Sequence, residues 1–288
     1  MRLRAARRGD AEAVLAIIAA SEIARIGRTE YTLRDVHDDW GLPGVELEHD
    51  VFVVEDDDAT IVGWADTDER CARVAVAPGH EGRGVGTLLR DAVERRMRER
   101  GFRMRQDLSP VGTTAVEHLR AAGYERIQVY QRMRASMQDV PAPLDAPVRL
   151  FDLTAEGAVV HELVEEAFGE IAANSAQSFE SWRAETAAGS EPAFRLALDD
   201  DRGLVGVAIG QRRQEGIGYV AQLAVARRAR GRGHGRALLL ALLDAFRRAG
   251  LPAAALSVAA TNAPATGLYE SAGMRPDFRA ERWELGAT

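Results

Sequence analysis

The chain has 288 residues, 46% hydrophobic and 28% charged, an ordinary globular balance that excludes a largely disordered polymer. Its 37 basic and 44 acidic residues leave a formal charge of −7, which argues against broad attraction to nucleic acid or an anionic membrane. One cysteine, Cys71, excludes a disulfide framework and a cysteine-based zinc site, so no metal is expected.

The start, Met1-Arg2-Leu3-Arg4, lacks the apolar core of a signal peptide. The most apolar run, Ala237 to Phe246, is bounded by arginines and too short to span a bilayer. The expectation is a soluble, cytoplasmic protein. Every basic residue is arginine, so phosphate recognition would fall to backbone N–H groups and guanidinium.

Read in order, the chain is written twice. Ile61-Val62-Gly63-Trp64-Ala65 is answered by Leu204-Val205-Gly206-Val207-Ala208 at an offset of 143. Gly82-Arg83-Gly84-Val85-Gly86 returns as Gly231-Arg232-Gly233-His234-Gly235 at 149, and Ala122-Gly123-Tyr124 returns as Ala272-Gly273-Met274 at 150. The order of features matches and the offsets drift only by loop-sized amounts, the signature of a duplication. Pro141, Pro143 and Pro147 mark a stiff linker, which divides the chain into an N-terminal domain 1–138, a linker 139–147 and a C-terminal domain 148–288.

The second copy reads as mixed α/β. Glu156 to Phe168 and Ser178 to Ala187 carry helical patterns. Phe194–Leu198 and Leu204–Ile209 flank a turn at Asp199-Asp200-Asp201-Arg202-Gly203, a hairpin signal. Tyr219 to Val225 is a strand running into the glycine loop, and an apolar helix follows to about Arg248. Ala254–Val258 is a strand, Pro264–Ser271 a helix and Phe278–Leu285 a last strand. A hairpin followed by strand–helix–strand predicts a mixed sheet with helices on its faces.

Where the strand enters the loop, three alternating glycines let the backbone approach a ligand closely, and successive N–H groups converge at a positive helix end. Arg227, Arg228, Arg230, Arg232 and Arg236 crowd this segment, which would suit a diphosphate with a further phosphate nearby. A P-loop needs a lysine that the chain lacks, and G-x-G-x-G is a poor dinucleotide fingerprint. Taken alone, the loop reads equally well as a glycine turn with solvated arginines.

Further on, Asn262 is followed by Leu268-Tyr269-Glu270-Ser271-Ala272-Gly273-Met274. Joined to Arg230–Gly235, these residues resemble the GNAT superfamily of acetyl-CoA-dependent N-acetyltransferases, most specifically over 217–275. The resemblance implies two tandem acyl-CoA N-acyltransferase domains. It implies that backbone groups of Leu223 and Val225 pair with the pantetheine arm and that the N–H groups of Arg230, Gly231, Arg232, Gly233, His234, Gly235 and Arg236 hold the pyrophosphate. Asn262 would bind the cofactor arm, the Leu223 N–H would face the thioester oxygen, and Tyr269 would protonate the leaving thiolate. Tyr219 stands where many family members place a basic glutamate, and Glu215, close in sequence, falls in the preceding turn; a water chain, Tyr219 or a residue from another segment would then take the proton of the amine.

The first copy keeps the loop, and Val76, Gly82, Gly84 and Gly86 outline a second cofactor site. Glu81 brings a like charge to it, and at the 150 offset Asn262 and Tyr269 map to Gly112 and Leu119. Weak or no binding and no turnover are expected there, and neither His118 nor Cys71 is given a catalytic role. The acceptor is expected to be the amine of a small molecule, acetylated directly in a ternary complex. It would be selected by Gly169–Pro192, with Ser175, Gln177 and Trp182 as candidates, and by the hairpin at Asp199. A cysteinyl glycoside amine and a non-catalytic acetyl-CoA-binding regulatory module remain as alternatives.

Overall fold

A computed structural model describes residues 1–169, 177–213 and 216–286. The chain forms two compact units. The first begins with β1 (Arg2–Ala5), α1 (Ala11–Ile26), α2 (Leu33–Trp40), α3 (Leu47–Asp50), β2 (Val51–Glu55), β3 (Ile61–Thr67) and β4 (Ala72–Val76). α4 (Val85–Glu99), β5 (Arg105–Leu108), α5 (Thr113–Ala121) and the start of β6 (Tyr124–Ser136) follow. The second unit takes the end of β6, then β7 (Val148–Leu150), α6 (Leu153–Phe168), α7 (Phe179–Gly189), β8 (Arg195–Asp200), β9 (Gly203–Arg212) and β10 (Gly218–Val225). It continues with α8 (His234–Arg248), β11 (Ala253–Ala259) and α9 (Ala263–Ser271). The mixed α/β class and the hairpin–strand–helix–strand order expected from the sequence are both present.

The last strand does not stay with its copy. β12 (Arg275–Leu285) leaves the second unit at Asp277, and from Phe278 on it belongs to the first, pairing antiparallel with β5 from Glu281↔Leu108 to Glu284↔Arg105. The second unit runs from Gln131 to Asp277, so it begins ahead of the proline linker and closes before the last strand ends. Side-chain burial holds the exchange. Trp283 is buried with Leu108, Leu119 and Tyr124, and the buried Arg105 donates to Glu284 Oε2 at 2.6 Å. Arg282 grips Asp107 through both oxygens, at 2.8 and 2.7 Å.

In the second unit the order β11-β10-β9-β8-β7 is antiparallel except where β10 lies parallel to β11. α8 fills one face, with Leu238, Leu242 and Phe246 buried and Phe246 edge-on to Phe194 at 4.8 Å. α6 and α7 cover the other face through Val160, Val164 and Trp182 against Val207, Ile209 and Ala224. The repeated glycine explains itself here. A Cβ on Gly206 would lie 2.7 Å from Leu238, and one on Gly63 2.4 Å from Val85, so each allows a helix to sit close on its sheet. Among the described residues no helix is long and apolar enough to cross a membrane.

Candidate active site

β10 and β11 are paired only at Gly218↔Ala254 and Tyr219↔Ala255. Just beyond, the β9 ladder slips between Val220 and Gln222, a bulge at Ala221 that twists β10 away from its parallel neighbour. The two strands then diverge. Antiparallel residues alternate between exchanging backbone bonds with the partner and turning away from it. Ala226 donates to Val205 O at 2.9 Å, so Ala224 and Gln222 fall in the bonded set. Leu223 and Val225 consequently turn their N–H and C=O groups from β9 into the opening.

The strand ends in a loop whose Gly231 and Gly233 have φ of 76° and 86°, a region that side chains rarely adopt. α8 starts at once at His234, and no side chain caps it. Its first-turn N–H groups are therefore left for an external acceptor. The arginines divide. Arg228 is held by Asp200 at 2.6 Å, Arg230 Nε donates to Val225 O at 3.1 Å, and Arg236 reaches Ser271 O at 3.2 Å. The Arg230 N–H turns back toward Arg227 O at 3.4 Å and is not aimed outward with the rest. Five guanidiniums gathered on one ligand is thus not what the loop offers; the backbone is its main donor.

Asn262 is the N-cap of α9, its Oδ1 accepting from Ala265 N at 3.2 Å, which leaves its amide N–H2 turned away from the helix. Tyr269, in the last turn of α9, sits in the apolar cluster with Leu256, Val258 and Met274. Its ring is buried, yet its hydroxyl bonds to no described residue and is not sealed from solvent. Burial, with Tyr219 nearby, pushes the phenol up to about 12. Tyr219 lies under two guanidiniums, Arg132 at 4.5 Å and Arg213 at 4.8 Å from its ring centre. The two tyrosines thus interact at the place where β10 and β11 part.

Of the acceptor candidates, Trp182 is fully buried and donates Nε1 to Gln222 Oε1 at 3.0 Å. Gln177 donates to Glu185 at 2.9 Å and its carbonyl meets His161 Nε2 at 3.0 Å, which makes it part of the α6–α7 junction. Ser175 and Glu215 lie outside the described residues. Sequence reasoning missed Gln222 and Arg132. Gln222 had a visible signal, being the one strongly polar side chain between Val220 and Val225.

The first copy repeats the loop, with φ of 73° at Gly82 and 85° at Gly84, and α4 begins directly after it, so Val76, Gly82, Gly84 and Gly86 occupy equivalent positions. Gly112 is the N-cap of α5 and Leu119 is buried in it. Among the described residues no cluster of three or more His, Cys, Asp or Glu could hold a metal ion.

A parallel strand pair that opens ahead of an uncapped, glycine-bent helix start, with the loop and helix start repeated in the first copy, is the frame of an acetyltransferase fold. The acetyltransferase (GNAT) family model matches residues 158–274 and a GNAT domain model matches 48–133; the chain belongs to the GNAT family. It is a tandem-GNAT N-acetyltransferase similar to the mycothiol acetyltransferase of Thermomonospora curvata, at 32% identity over 230 residues, 75% of this chain and 76% of that one. The mycothiol acetyltransferase of Acidothermus cellulolyticus is 31% identical over 261 residues, 82% and 79% of the two chains. Among solved structures, a GCN5-related N-acetyltransferase from Sphaerobacter thermophilus superposes with a TM-score of 0.83 at 27% identity, covering 99% of this chain and 96% of the other. A tandem GNAT protein from the clavulanic acid biosynthesis pathway shares the fold, with a TM-score of 0.73 at 18% identity and coverage of 100% and 99%.

Proposed function

We propose that the chain transfers acetyl from acetyl-CoA to the amine of a small molecule, directly in a ternary complex, at the opening between β10 and β11. The observation that carries this is the end of the parallel ladder at Tyr219, which leaves Leu223 and Val225 with unshared backbone groups directly ahead of the uncapped α8 start. Those groups suit the amides of a pantetheine arm. The loop N–H groups from Gly231 to Arg236 suit its pyrophosphate, and the outward amide of Asn262 suits the same arm.

The residues then divide the reaction. The Leu223 N–H faces the thioester oxygen, where negative charge grows as the amine attacks. Tyr219, as its phenolate, takes a proton from the amine nitrogen as the C–N bond forms and becomes the neutral phenol, with the Arg132 and Arg213 guanidiniums over its ring. Tyr269 delivers its proton to sulfur as the C–S bond breaks. An ordinary thiol ionises near 8.5, well below a phenol raised to about 12. The same desolvated opening raises the emerging thiolate too, which narrows the mismatch. A covalent acetyl-cysteine relay is not at hand: the chain's one cysteine, Cys71, belongs to the first unit, where burial, and then the charge of Asp107, hold its thiol protonated.

The likeness to mycothiol acetyltransferases places a cysteinyl glycoside amine first among acceptors to be tried. The test is free-thiol release from acetyl-CoA with that acceptor and a panel of primary amines, for wild type and Tyr269→Phe. Loss of a general acid lowers rates by about 10²- to 10⁴-fold, while affinity for acetyl-CoA should stay within about threefold of wild type. Unchanged release in the variant removes Tyr269 from the mechanism. No release by wild type with any amine leaves an acetyl-CoA-binding regulatory module as the reading.

A further inference from the structure

We infer that Gln222 selects the acceptor, by donating its carboxamide N–H2 to an oxygen carried next to the amine, and that Trp182 is the residue that aims it. The inference rests on the second unit being the acetyltransferase site.

An indole N–H can only donate, so the end of Gln222 that meets Trp182 Nε1 at 3.0 Å must be its oxygen. The orientation of the carboxamide is therefore fixed by chemistry, and its N–H2 points away from Trp182. No described residue accepts from that group, and it is not sealed from solvent. Opposite Gln222 in the ladder stands Ile209, whose side chain offers no hydrogen bond. The carboxamide thus keeps a donor pair open to a ligand in a strand otherwise made of Val, Ala and Leu.

Its place says what that something is. Gln222 immediately precedes Leu223, whose N–H faces the opening, and lies on the sheet face covered by α6 and α7 with Ala224 and Ala226. α8 and α9, which present the glycine loop and Tyr269, pack on the other face. A donor held on the α6–α7 side, one residue from the reacting centre, is suited to the acceptor rather than to the acetyl donor. In the first copy the equivalent strand position, at the 149 offset, is Arg73, which is instead locked to Asp66. The class of acceptor is thus a primary amine with a carbonyl or hydroxyl oxygen beside it, as in an α-amino amide, and not a plain alkylamine.

The experiment compares alaninamide with isopropylamine as acceptors, read as the ratio of their kcat/KM values. Differences in amine basicity cancel when that ratio is compared between enzymes. Wild type should favour alaninamide. Gln222→Met, which keeps the length but not the donor, should lower the ratio about tenfold. Gln222→Glu should lower it as much, because it keeps an oxygen for Trp182 and removes the N–H2. Trp182→Phe should lower it by a smaller factor with Gln222 still present, and acetyl-CoA affinity should hold in every variant. A ratio unchanged in both Gln222 variants overturns the inference and leaves the acetyltransferase reading intact. No thiol release by wild type with either these amines or the wider panel overturns both.

Discussion

The two copies bend the same loop and do different things with the strands on either side of it. The glycines adopt matching conformations, φ of 73° and 85° in the first copy and 76° and 86° in the second, and each loop runs into an uncapped helix. The strand ahead of it differs. β4 pairs with β3 in unbroken register from Gly63↔Val76 to Thr67↔Ala72, whereas β10 slips at Ala221. The far wall differs as well. Where the second copy has the Asn262 cap and the Tyr269 phenol, the first has Gly112 and the buried Leu119. Arg25, from the last turn of α1, lies against Gly112 so closely that a Cβ there would sit 2.6 Å from its Nε, and Glu81 attracts it from the loop. Glu81 itself accepts from the Gly79 N–H at 2.7 Å. A loop shape is thus dictated locally by glycine, while the two copies differ in a bulge, a cap and one phenol that lie outside it.

The two copies should part most sharply at the matched glycines Gly84 and Gly233. Val at either position has the same open space around its Cβ and the same left-handed strain, about 1–2 kcal/mol. Gly233→Val should abolish acetyl-CoA binding and thiol release, while Gly84→Val should cost similar stability and leave activity near wild type. Equal losses of activity would mean that both loops serve turnover. Thermal unfolding and thiol release measure the two effects separately.

A gentler change sharpens it. Arg25→Ala combined with Glu81→Arg clears the first cleft and reverses the charge in its loop. Calorimetric titration should then move from one acetyl-CoA per chain toward two, with the rate of thiol release unchanged. Two sites in the wild type would show that Arg25 and Glu81 do not close the first copy.

The smallest effect is in pH dependence. Burial pushes the Asp66 carboxyl up to about 6 in spite of Arg73, well above an unfolded aspartate. The folded state therefore holds this proton more tightly, so the stability it gives is complete below about pH 4 and is lost as pH rises through about 6. Asp66→Asn should flatten that part of a melting-temperature profile. Ile209, at the equivalent place in the second copy, has no such titration to lose.

Much of this was legible from residues alone because it is local or repeated. Glycines at fixed spacing, the 149-residue echo, the hairpin at Asp199–Gly203 and the Asn262-to-Tyr269 interval each follow from short-range backbone preference or from pattern. Gln222 was half-legible: its polarity within an apolar strand could be seen, but not which way its carboxamide faced.

Residues along the chain were enough for the duplication, the mixed α/β class and the two glycine loops, which follow from neighbours and hydrophobic period, while the family showed only as a resemblance carried by Arg230–Gly235 and Asn262 to Met274. Only the tertiary structure decided that β12 crosses to the first unit, because burying Trp283 and pairing Arg282 with Asp107 are contacts more than 150 residues apart in sequence. It also decided that Ala221 bulges, that Arg25 fills the space beside Gly112 and that Trp182 turns Gln222. Each of these depends on which distant side chain arrives to take up a hydrogen bond or a volume, and no local preference encodes that.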